Sequence, residues 1–170
     1  MLVAMKVSAH TKMRELMPLL DEERIKQIAE EVPAVPLDKP LLRMTCGEFI
    51  GALDEKFALA YFEREEYVFT AFGKYKQYLA EMQGITAYIK RYEVEQDADE
   101  KAAAQGVEFP TMQERILLDC VRAYRLRSTE EAEQLPVTDW LLIVKSEGAA
   151  AQYQRRLSKI QQNKQRNGRK

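Results

Sequence analysis

The chain has 170 residues, 46% of them apolar, with only seven glycines and six prolines; it can bury one core and is too poor in turn residues for an all-β protein. No run approaches the roughly 20 apolar residues that span a bilayer, and the start, Met1-Leu2-Val3-Ala4-Met5-Lys6-Val7, lacks the basic region and apolar core of a secretory signal, so a cytoplasmic location is expected. The net charge of −1 hides a dipolar chain: positions 151–170 hold Arg155, Arg156, Lys159, Lys164, Arg166, Arg169 and Lys170 with no acid, leaving 19 basic against 27 acidic residues before them, a net −8.

In chain order, Met1 to Val7 is short and apolar and reads equally as an edge strand, a disordered terminus or a helix start. Lys12 to Met17 has helical composition up to Pro18. Asp21-Glu22-Glu23 then places negative charge where a helix dipole favours it, ahead of a face made of Ile25, Ile28, Ala29 and Val32. Three prolines, Pro33, Pro36 and Pro40, predict an extended linker, because proline removes a donor and biases its predecessor away from the helical region. Residues 1–40 are thus read as an N-terminal helical arm and linker.

Thr45-Cys46-Gly47-Glu48 predicts a capping box, with Met44 and Phe49 as its hydrophobic staple. Ile50, Leu53, Phe57 and Ala60 or Tyr61 continue one side of that helix, and Glu63 to Glu66 turn the chain. The stretch from Phe57 to Tyr92 holds ten of the fifteen aromatic residues. From Val68 the apolar residues Val68, Phe72, Tyr75, Leu79 and Met82 step by four and three, which predicts one long helix over residues 67–96 with a bend or break available at Gly73 or Gly84. The acidic run Glu93 to Glu100 follows, and Ala102 to Gly106 is read as a loop. Thr111 and Glu114 repeat the capping pattern before a wide apolar face of Ile116, Leu117, Cys120, Val121 and Tyr124. Ser128 is expected to cap a short helix that Pro136 stops. Thr138 is expected to cap the last helix, whose opening, Trp140 to Val144, is apolar all round and expected to be buried. The fold class predicted is all-α: an irregular bundle of about five to seven helices around a long aromatic-rich central helix, with a helical domain over 41–160 and a basic, flexible tail over 161–170.

One histidine, His10, excludes a two-histidine metal site and argues against a Ser-His-Asp or Cys-His arrangement. Neither GxGxxG nor GxxxxGK[ST] is present, and Asp97, Asp99 and Glu100 lack the spacing of a calcium loop. Cys46 and Cys120, 74 positions apart, read as buried free thiols rather than a bridge. The aromatic stripe reads as core rather than as a base-stacking platform. No cofactor, metal or small-molecule ligand is implied, and no catalytic residue is assigned.

Two resemblances follow. Glu114 to Val121, Ser128 to Leu135 and Trp140-Leu141-Leu142 together resemble the tail assembly chaperones of tailed phages, in which a short acidic capped helix precedes a long helix opening on an aromatic residue and ending basic. That resemblance covers about 50 residues; it implies a non-enzymatic protein that coats an aggregation-prone partner such as a tape-measure protein. Lys39 to Thr45 with Glu48-Phe49, and later Tyr67-Val68-Phe69, are similar to the front of small helix-turn-helix proteins of bacterial mobile elements, and Ala80 to Gly84 resembles the first half of such a motif. Lys90 and Glu93 stand where its recognition helix needs apolar residues. The expected function is a phage- or mobile-element-encoded assembly chaperone or minor structural component, its partner another protein or a second copy. The alternative is a nucleic-acid-binding accessory protein using Arg155, Arg156, Lys159, Lys164, Arg166, Arg169 and Lys170 on phosphate; the same cations read equally as contacts to an acidic partner or to the protein's own acidic surface.

Overall fold

The structure, a computed structural model, describes residues 12, 13, 27, 28, 30–54, 64–94 and 98–167. Among them the fold is all-α: a 3-10 turn at Leu41–Arg43, then α1 (Cys46–Ala52), α2 (Val68–Tyr92), α3 (Ala98–Ala103), α4 (Met112–Tyr124), α5 (Thr129–Glu133) and α6 (Val137–Asn167). Positions 1–11 and 14–26, and Phe57, Tyr61 and Phe62, lie outside the described residues, and with them the expectations made there.

Both capping boxes form. At α1 the Glu48 N–H donates to Thr45 Oγ1 at 3.3 Å and the Thr45 N–H to Glu48 Oε2 at 2.8 Å; at α4 the Glu114 N–H donates to Thr111 Oγ1 at 3.2 Å and the Thr111 N–H to Glu114 Oε2 at 2.8 Å. Two orphan donors are satisfied at each helix start. The staple residues Met44 and Phe49 are both buried. Ser128 occupies the N-cap of α5, but its side chain accepts no capping hydrogen bond. The last helix starts at Val137, one residue before the expected cap, because Pro136 already supplies its first acceptor: the Asp139 N–H donates to the Pro136 carbonyl at 3.0 Å. It then runs to Asn167, so the first seven residues of the expected flexible tail are helical. In the acidic stretch, Ala98–Ala103 is a short helix where a loop was expected from Ala102, and the turn begins only at Ala104.

Helix α2 is continuous through Gly73 and Gly84. Its buried face is rotated from the one the spacing suggested: Tyr78 and Ile85 are buried, while Leu79 is 40% exposed. Tyr78 turns inward because its hydroxyl finds an acceptor there, donating to the Ala52 carbonyl at 2.6 Å; a buried phenol needs such a partner. Gly73 is a packing glycine. A Cβ there would stand 2.5 Å from Val35 Cγ2 and 2.8 Å from the Pro33 carbonyl. The Pro-rich segment is therefore no free linker: it lies along α2, with the Val35 N–H donating to the Gly73 carbonyl at 3.0 Å and Leu37 buried. Nearby, Lys74 is buried against Asp38 (2.9 Å) and Glu65, whose carboxylates hold its ammonium above the ordinary lysine value.

Two apolar clusters result. The smaller joins Met13, Ile28 and Val32 to the start of α2 at Val68, Ala71 and Phe72. The larger gathers α1, α4, α5, the second half of α2 and the opening of α6 around Trp140, the largest fully buried side chain. The aromatic helix spans both clusters, but it is α6 that packs against the 3-10 turn, α1, α2 and α4 alike. Trp140 keeps its indole N–H satisfied by donating to Asp119 Oδ2 at 3.3 Å, and Asp119 also accepts from Arg122 at 3.1 Å. Glu147 on α6 accepts from Arg122 in turn, at 2.8 Å.

Candidate functional site

The clearest concavity is an apolar groove of about 680 Å³ between three elements: Pro40 and Leu42 at the 3-10 turn, Glu81, Gly84, Ile85 and Tyr88 on α2, and Thr138, Leu141 and Leu142 on α6. Local structure explains its walls. Glu81 does not offer its charge to the groove, because Oε2 accepts from the Leu41 N–H at 2.7 Å and Oε1 from Gln77 at 2.9 Å. The carboxylate thus pins the 3-10 turn to α2 and sets the width between them. Leu42 and Leu142 are 50% and 57% exposed, so two leucines stand at the rim in contact with water. Leu142 corrects the expectation that Trp140 to Val144 is wholly buried: its neighbours are buried and it points away.

Gly84 gives the groove its depth. Unlike Gly73, a Cβ at Gly84 would meet nothing within 4 Å. A mid-helix glycine costs about 1 kcal/mol relative to alanine, and no packing neighbour here requires one; what the missing side chain leaves is open space in the groove. Volume and lining fall in the range of apolar recognition sites.

A second concavity, of about 700 Å³, lies between the end of α2 and α6 and is lined by Lys90, Tyr92, Glu93, Arg115, Glu147 and Gly148 among others. Cations and carboxylates alternate there, giving no surplus of either sign for an anion or a metal. Among the described residues no cluster of three or more His, Cys, Asp or Glu side chains could hold a metal ion, and no buried side-chain polar atom lacks a partner. No described helix is long and apolar enough to cross a membrane.

The basic candidates separate. Arg155 is turned back onto the body in an ion pair with Glu100. Arg156, Lys159 and Lys164 are exposed on the outer half of α6. Arg166 lies within the helical backbone, and Arg169 and Lys170 lie outside the described residues. The three exposed cations sit on one rod, but the structure does not bring them into a common cradle.

Two features escaped the sequence. The groove was one; in the sequence only a glycine inside a helix pointed to it. The other is the contact between the two thiols, whose burial as free cysteines was expected. Cys46 and Cys120 are both free and fully buried, their Sγ atoms 3.9 Å apart. The hydrogen bond between them lowers Cys46 from its ordinary value, and the same bond with burial pushes Cys120 up. Shut off from water, the pair is inert core in the folded state. Comparison with known protein families, with characterised proteins and with solved structures finds no match to this chain.

Proposed function

We propose that the chain is a non-enzymatic helical interaction protein, an assembly chaperone or minor structural component of a phage or mobile element, that receives an apolar helical segment of its partner in the groove beside Gly84. The observation that carries this reading is the groove itself: an apolar floor, two exposed leucines at its rim and a helix glycine whose side-chain position is open. Helix-in-groove recognition uses apolar anchors at three- and four-residue spacing against such a surface, and coating an aggregation-prone coiled-coil partner is work of that kind.

The test is steric. Gly84→Leu projects into the groove from a position where a Cβ would meet nothing within 4 Å, so the fold is expected to survive it. Wild-type protein should suppress aggregation of a long coiled-coil polypeptide, and bind a leucine-rich amphipathic helical peptide, with G84L losing both about tenfold or more. Equal activity of the two proteins refutes the groove as the site.

A second reading, nucleic-acid accessory binding, rests on the exposed Arg156, Lys159 and Lys164. It requires affinity that falls steeply with salt and is lost when residues 151–170 are removed.

A further inference from the structure

We infer that a second copy of this chain docks on the outer half of α6, the two helices running antiparallel. This goes beyond the groove reading and needs no occupant in the groove. The argument begins with a stripe. Leu142, Ser146, Ala149, Tyr153, Arg156 and Ile160 are all exposed among the described residues, with Leu142 57%, Tyr153 62% and Ile160 53% exposed. Their steps are four, three, four, three and four, the a/d seam of a coiled coil, and they lie within about 40° of one line along the helix at 100° per residue. The residues that hold α6 to the body, Leu141, Val144, Gly148, Gln152 and Arg155, lie on a different side, so the seam stays uncovered by the described chain.

The seam is also its own complement. Because the step pattern reads the same in both directions, an antiparallel copy related by a two-fold axis at position 151 sets Leu142 against Ile160, Ser146 against Arg156 and Ala149 against Tyr153. Each large apolar residue meets an apolar one, alanine makes room for tyrosine, and the arginine meets a hydroxyl rather than hydrocarbon. A self-complementary patch is what a two-fold interface requires, and one polar layer fixes its register.

Charge selects the orientation. Residues 151–170 carry seven cations and no acid, while the rest of the chain is net −8. A parallel pair would stack Arg156, Lys159 and Lys164 on their own copies. The antiparallel pair carries each basic half toward the acidic body of the other copy, which like-charge repulsion and attraction both favour. A seam of six residues per copy is small for a permanent interface, so the dimer should depend on concentration.

Sedimentation velocity on the full chain tests this, with circular dichroism to confirm that each variant stays helical. Wild-type protein should pass from monomer to dimer with rising concentration, and Tyr153→Asp should weaken the dimer about tenfold or more. Ser146→Glu separates the orientations: antiparallel, it faces Arg156 of the other copy and tightens the dimer several-fold, whereas parallel it faces itself and loosens it. Gly84→Leu, which blocks the groove, should still dimerise, because of the seam residues only Leu142 borders the groove. Tyr153→Asp, at the seam's middle and away from the groove, should weaken the dimer and keep peptide binding, which separates the two proposals. A wild-type monomer at all concentrations to about 1 mM, a dimer indifferent to Tyr153→Asp, or a dimer loosened by Ser146→Glu overturns the inference.

Discussion

The two halves of α6 obey opposite rules although they are one continuous helix. From Val137 to Gly148 its side chains close the main core, with Val137, Trp140, Leu141, Ile143 and Val144 buried. From Ala149 to Gln165 no residue is buried, and the helix touches the body through Gln152, which donates to the Arg91 carbonyl at 3.4 Å, and through Arg155 on Glu100. The difference teaches that helix length and helix stability have separate sources here. The inner half is held by tertiary packing; the outer half continues because propagation adds a hydrogen bond for each residue ordered.

The largest break in that contrast should come from Trp140→Ala. It removes the biggest core side chain and the indole donor to Asp119, and is expected to destabilise by about 3–5 kcal/mol in chemical denaturation. Gly148→Ala comes next. A Cβ there would stand 2.2 Å from the Tyr92 carbonyl oxygen, so α2 and α6 must move apart, at a cost of about 1–3 kcal/mol read from the same melts. Gly84→Ala sharpens the comparison with the opposite sign: with nothing within 4 Å of the new methyl, it should stabilise by up to about 1 kcal/mol. Truncation after residue 160 should change the unfolding free energy by no more than about 0.5 kcal/mol; a larger loss would mean that the end of the helix contributes to the fold.

Acid should act on the capping boxes of α1 and α4. The Glu48 carboxylate is held below its ordinary range by Lys39 and the Thr45 N–H, and Glu114 by the Thr111 N–H. Depressed folded values mean that their contribution is complete above about pH 4.3, the unfolded value, and fades as pH falls through the lower folded values. Thermal melts from pH 6 downward should show stability declining through that window. The decline should be reduced in Glu114→Gln, whose side-chain amide carbonyl can still accept from the Thr111 N–H.

Both capping boxes and the all-α class were legible in the residues, because each depends on side chains within a few positions of one another; whether α2 runs unbroken past Gly73 and Gly84 was left open by the spacing. Thr45 reaches Glu48, and Thr111 reaches Glu114, whatever the rest of the chain does. The face that α2 buries was not legible: Tyr78 goes inward and Leu79 outward because the Ala52 carbonyl is there to accept a phenol, and that carbonyl is distant in sequence. The Cys46–Cys120 contact and the packing of Val35 on Gly73 are of the same kind, contacts between segments that only the assembled core brings together. So is the division of α6. Its sequence determined a helix with an apolar opening and a basic end; where the body stops, and hence that Leu142 and the stripe beyond it meet water, was decided by the tertiary structure, because burial depends on which surfaces the other helices present.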